Sequence, residues 1–155
     1  MGVDHSLASV KRIQSMAVRA AGGNYVAHRQ VGNLVYLSGQ ISMRDDGHLF
    51  CGQVGVDLSV SEGAQAARVC MENLFVALLA AVDGNWDRIV SCVRLTGYVN
   101  SQAPFPDGPK VINGASDLVV EVLGPNGEHA RSAVGVSALP RNAAVEVEAI
   151  FEVRA

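Results

Sequence analysis

Positive charge is scarce in this sequence. Twelve Lys and Arg stand against 15 Asp and Glu, for a net charge of −3, and charged residues are only 17% of the chain. Nothing in that balance attracts a phosphate backbone, and no basic patch with interleaved aromatics is present. No nucleic-acid partner is expected. Cysteine is also sparse: Cys51, Cys70 and Cys92 are odd in number, widely spaced and form no C-x-x-C. They suit free thiols in a reducing, cytoplasmic-type compartment, and they argue against a structural metal. No metal or cofactor is expected. No basic segment followed by an apolar one opens the chain, and the longest apolar run is far short of a membrane span. A soluble protein with no membrane partner is therefore expected.

What is present fits one small domain. A chain of 155 residues buries about two-thirds of its unfolded surface. Its hydrophobic content of 49% is rich for a small monomer and favours oligomers.

The most informative stretch is Ala130 to Val153. Two runs of strand-forming residues flank Pro140-Arg141-Asn142, a turn composition. In the second run Val145, Val147, Ala149, Phe151 and Val153 alternate with Glu146, Glu148 and Glu152, which predicts a strand with one face on the core. In the first run Arg131 stands alone among Ala, Ser, Gly and Val, and must reach solvent or hold an anion. A tight hairpin would set Arg131 opposite Phe151 or Glu152, and Glu146 opposite Val136 or Ser137. Arg131 and Glu146 would then lie roughly 15–20 Å apart along the ladder. Such a pair could act on one small ligand only between subunits.

Elsewhere, Val10–Ala21 reads as a short helix or an extended lead-in that ends at Gly22-Gly23-Asn24. Residues Tyr25–Ile41 form a hairpin about Gly32-Asn33, and Leu49–Cys51 is a short edge strand. Ser59-Val60-Ser61-Glu62 is a capping box that starts a helix running to about Val82. The strand Arg88–Asn100 follows, with Ile89, Val93, Leu95 and Val99 on one parity. Asp107 would cap a second helix over Gly108–Leu123, closed by Gly124-Pro125-Asn126-Gly127. The order predicts an α+β fold in which two helices pack on one face of a mixed β-sheet. The other face is left for another subunit. His5, His28, His48 and His129 fall at turns and ends and read as surface residues, His129 adjoining the arginine run.

The pieces Gly23-Asn24-Tyr25, Leu37-Ser38-Gly39-Gln40-Ile41, Asn113, Ala130-Arg131-Ser132, Ala138-Leu139-Pro140 and Val145-Glu146-Val147-Glu148-Ala149 follow one another in unbroken order. Together they resemble the YjgF/YER057c/UK114 family, also called Rid or L-PSP endoribonuclease-like. The resemblance covers roughly residues 23–155 as a single domain, with residues 1–22 as an N-terminal extension. It implies a chorismate-mutase-like fold, a homotrimer around a β-barrel core, and clefts between subunits. The activity it implies is hydrolysis of 2-imino and enamino acids to 2-oxo acids and ammonia. Arg131 would pair with the substrate carboxylate and Glu146 would position or activate water. Tyr25, Ser38, Gly39 and Asn113 would line the cleft with Ala133, which stands where relatives often carry Cys or Thr. A non-catalytic metabolite-binding trimer is the alternative. The ribonuclease in the family's older name fits poorly with the acidic balance and the lack of a histidine pair.

Overall fold

The structure is a computed structural model that describes residues 2–155. Its elements are α1 (Ala8–Ser15), β1 (His28–Val31), β2 (Leu34–Ile41), α2 (Val60–Ala81), β3 (Ile89–Asn100), α3 (Gly108–Leu123), β4 (Ala130–Val136) and β5 (Val145–Val153). The five strands form one mixed sheet in the order β1-β2-β5-β3-β4.

The first hairpin forms as its sequence dictates. Val31 pairs with Leu34 across Gly32-Asn33, and Gly32 takes a positive φ of 61°, which a residue without Cβ tolerates. The capping box is also present: Ser59 Oγ accepts from the Glu62 amide at 3.1 Å, and the Glu62 carboxylate accepts from the Ser59 amide at 2.8 Å. The helix it starts, α2, is the spine of the core, with Ala67, Cys70, Met71, Leu74, Phe75 and Leu78 fully buried. By length and composition α2 could cross a membrane, but 72% of its most apolar window is buried in the fold.

The expected two-helix layer is corrected to three α-helices. The third, α1, packs on α2 and α3 rather than on the sheet. Val10 and Ile13 bury completely beneath it, Ser9 donates to Glu121 at 2.6 Å, and Arg12 meets Glu72 at 3.2 Å. Its sequence signal is faint because only two turns are helical and Leu7 at the N-cap offers no side-chain hydrogen bond. Packing makes this helix, not propensity. The barrel is corrected too: the chain's sheet is open and does not close on itself.

The predicted pairing of the last two strands also changes. β4 runs parallel to β3, and β3 runs antiparallel to β5, so β3 lies between the two halves of the expected hairpin. Instead of making a tight turn, residues 137–144 carry the chain past β3, with Arg141 and Asn142 at φ 58° and 57°. A parallel neighbour requires a crossover, and α3 supplies it between β3 and β4. Three smaller expectations shift as well. Register irregularities between Ile89 and Ser91 and between Cys92 and Arg94 bury Cys92 and leave Val93 39% exposed. Asp107 stands at the N-cap of α3 without capping it, and pairs with Lys110 at 2.8 Å. Leu49 and Cys51 make isolated bridges instead of an edge strand.

Helices α2 and α3 meet closely at Gly114, where a Cβ would collide with the Ala64 carbonyl oxygen and reach within 3.1 Å of the Ala64 Cα. Both helices lie on the sheet face built from Val35, Leu37, Leu95, Val99, Val145, Val147, Ala149 and Phe151. The opposite face presents Tyr36, Arg94, Thr96, Tyr98, Glu146, Glu148 and Ile150, whose pairings place them on one side.

Candidate active site

On the helix-free face, β2 breaks register between Leu37 and Gln40. This bulge at Ser38-Gly39 opens the strand next to Glu146 of β5, which pairs with Ile41 and with Tyr98. The absent side chain of Gly39 makes room for the Glu146 carboxyl: a Cβ there would collide with Oε1 and come within 3.0 Å of Cδ. Among the described residues no protein donor serves the Glu146 carboxylate. Partial burial, followed by the negative charge of Glu148, raises the Glu146 carboxyl above the usual glutamate range. Glu148 accepts a hydrogen bond from Tyr98 Oη at 3.3 Å.

Ser38 is tied to the preceding segment, its amide donating to Ala27 O at 3.0 Å and its hydroxyl to Val26 O at 2.6 Å. Tyr25 is 54% exposed, with its hydroxyl receiving the Gly22 amide at 3.2 Å. Tyr25 and Ser38 share a cavity of about 550 Å³ with His28, Arg29, Tyr36, Arg94 and Glu148. Tyr25, Ser38, Gly39 and Glu146 thus belong to one side of one chain.

Arg131 belongs to the other side. It is the second residue of β4 and pairs with Leu95, so it points toward the helix layer. There Nη1 donates to Asn113 Oδ1 at 2.8 Å and to Ser116 Oγ at 3.1 Å, and Nη2 donates to Pro109 O at 3.4 Å. All three acceptors are neutral, and among the described residues no carboxylate lies within ion-pair reach of this guanidinium. The Nε–H and one Nη2–H are left without a partner in the fold and are free to meet a carboxylate. Ala133, two residues along the same face, lies beside Gly108 at the start of α3.

The predicted residues therefore form two groups. Arg131 is level with Leu95, which is level with Ala149, three residues from Glu146. Two strand spacings and three residue rises put their Cα atoms roughly 14 Å apart, on opposite faces of the sheet. The separation resembles the one expected from sequence, although its cause is the intervening β3 and not a hairpin ladder.

Ser116 and Pro109 were not legible as site residues, and His129 was read as surface. In the structure His129 is half-buried, with both ring nitrogens bonded to Ser116 Oγ and Gly127 O. Two signals were available: Asn113 and Ser116 are three apart on one helix face, and His129 stands two residues before Arg131, just ahead of β4.

Known proteins resemble this chain along most of its length. Residues 7–153 match the family model described as "YjgF/chorismate_mutase-like, putative endoribonuclease". The chain is 43% identical over 141 residues to Protein TCP17 of Trypanosoma cruzi, covering 90% of this chain and 88% of that protein. It is 32% identical over 129 residues to a 2-iminobutanoate/2-iminopropanoate deaminase of Dermatophagoides farinae, covering 83% and 84%. The crystal structure of the protein Atu1372 from Agrobacterium tumefaciens superposes with a TM-score of 0.82 at 42% identity, covering 85% of each chain. With the match spanning the sheet, α2, α3 and both residue groups, the chain belongs to the YjgF/UK114/Rid, L-PSP endoribonuclease-like, family.

Proposed function

We propose that this protein hydrolyses 2-imino acids to 2-oxo acids and ammonia, in clefts between the subunits of a homotrimer. The observation that carries the reading is the unneutralised guanidinium of Arg131, held by neutral acceptors with N–H donors to spare for a substrate carboxylate. The kinship with a protein named as a 2-iminobutanoate/2-iminopropanoate deaminase supports the reaction class. The opposite-face placement of Glu146 and Arg131 supports a cleft to which one subunit brings the carboxylate anchor and its neighbour the water site.

The chemistry asks little of the protein beyond orientation. The substrate is an iminium, with carbon 2 already electrophilic. Glu146 takes a proton from water as the oxygen bonds to carbon 2 and the C=N π pair moves to nitrogen, giving a carbinolamine. The protonated Glu146 returns that proton to nitrogen. It then takes the hydroxyl proton as the C–N bond breaks and C=O forms. Ammonia leaves and collects the proton, so iminium and water become 2-oxo acid and ammonium. Raised by burial and by Glu148, Glu146 is a stronger base than an exposed glutamate.

The direct test is ammonia release from freshly generated 2-imino acids of different side-chain size, compared with their spontaneous hydrolysis. Enzyme-dependent acceleration that is lost in Arg131→Ala supports the proposal. Tight binding of 2-oxobutanoate with no acceleration for any substrate would replace it with a metabolite-binding role.

A further inference from the structure

We infer that Ser116 and His129 form a positioning relay that aims Arg131 at the substrate carboxylate. This inference rests on the reading of Arg131 as the carboxylate anchor. The ring of His129 lies between an acceptor that cannot donate and a hydroxyl that can do both. Its Nδ1 is 2.6 Å from the Gly127 carbonyl oxygen, so in the neutral ring Nδ1 carries the proton. That leaves Nε2 as an acceptor, 2.9 Å from Ser116 Oγ. The hydroxyl proton of Ser116 is thereby committed to His129, and a lone pair of Oγ faces Arg131 Nη1 at 3.1 Å.

Without the imidazole, that proton has other destinations. A helical serine readily donates to the carbonyl one turn back, here that of Ile112. The hydroxyl would then rotate, and its oxygen would no longer be held toward Nη1. Because Nη1 spends both its N–H groups on Asn113 and Ser116, the guanidinium plane is fixed by these acceptors. Fixing the plane also fixes the direction in which the unpartnered Nε–H and Nη2–H can donate. A three-residue chain from Gly127 through His129 and Ser116 thus sets the angle of a group that none of those residues resembles chemically. His129 and Ser116 are positioning residues and touch no reacting atom.

Four variants and one spectrum test this. In the intact protein, the ring nitrogen-15 shifts of His129 should report the Nδ1–H tautomer; an Nε2–H tautomer would overturn the relay. Ser116→Ala and His129→Phe should each raise KM for a 2-imino acid roughly five- to thirty-fold with kcat within about twofold, since only capture is weakened. Ser116→Thr keeps the hydroxyl and should return KM to within about threefold of the parent. A Thr variant as impaired as the Ala variant, or a fall in kcat at unchanged KM, would sink the proposal. Calorimetric Kd values for 2-oxobutanoate should follow the same order and are measurable whether or not the protein turns over imines. If Arg131→Lys also leaves that Kd unchanged, the anchor reading itself has failed and takes the relay with it. If Arg131→Lys weakens binding while Ser116→Ala and His129→Phe do not, the anchor stands and the relay alone is wrong.

Discussion

Gly39 lies beneath the carboxyl of Glu146, so closely that any Cβ at position 39 would occupy the space of Oε1. The backbone at Gly39 has no positive φ, so what a side chain there would meet is the Glu146 carboxyl and not conformational strain. Gly39→Ala is expected to displace the carboxylate and lower imine-hydrolysis kcat while leaving the fold intact. In a Glu146→Ala background the same change should have almost no further effect. A double-mutant cycle of kcat checks this coupling; additive losses would separate the two residues.

Glu146→Gln is expected to lower kcat by roughly 10²- to 10⁴-fold, with carboxylate affinity nearly unchanged. In the parent protein the acid limb of the pH–rate profile should lie above the ordinary glutamate range, because burial and Glu148 hold the proton on. Stability carries the same signature. A raised folded-state value means that the folded chain binds more protons between the unfolded and folded values, so this group's contribution is full in acid and is lost as pH rises through the folded value. The Gln variant lacks that loss. Its Tm should gain on the parent from acidic to neutral pH, and thermal melts at a series of pH values measure the gain.

Arg131→Lys retains charge but gives up the planar edge. Binding of 2-oxobutanoate is expected to weaken by about 1–3 kcal/mol, with the oligomer preserved. Isothermal titration and sedimentation equilibrium on the same samples check both halves.

If each cleft draws Arg131 from one subunit and Glu146 from the next, two dead variants can repair one another. Arg131→Ala and Glu146→Gln chains, unfolded together and refolded, should recover part of the parent rate. A mixed trimer can then contain a cleft with both groups intact. The measurement is rate against mixing ratio, with both chains confirmed in the oligomer by mass. Mixed oligomers no more active than either variant alone would rule out the shared cleft.

Strong local signals in the sequence carried much of this structure. The Ser59–Glu62 box, the Gly32-Asn33 turn and the alternation from Val145 to Val153 each mark their element within a short window of sequence. Pairing was less legible, because alternation tells which face a strand buries but not which strand lies beside it. Hence β4 and β5 read as a hairpin although β3 separates them. The bulges around Val93 shifted a parity that depended on unbroken register. Helix α1 was obscured for a different reason: its stability comes from Val10 and Ile13 against α2 and α3, contacts that no local window contains. Among the candidate site residues, Arg131 stood out as a lone charge in a neutral strand. Ser116 and His129 did not, since a serine and a histidine acquire meaning only once α3 lies beside the start of β4.

The backbone contact at Gly114 has a genetic consequence. Because Ala64 fits against the helix where a methyl group would stand, α3 is clocked about its own axis, and Asn113 and Ser116 face Arg131 as a result. A substituent at 114 lifts or turns the whole helix and misaims both acceptors at once. In a saturation screen for catalytic fitness, position 114 would score among the most intolerant, indistinguishable from residues that grip the substrate. Selection would hold this glycine invariant for the sake of a neighbour's orientation, while the exposed Asp117, three residues further along, drifts freely.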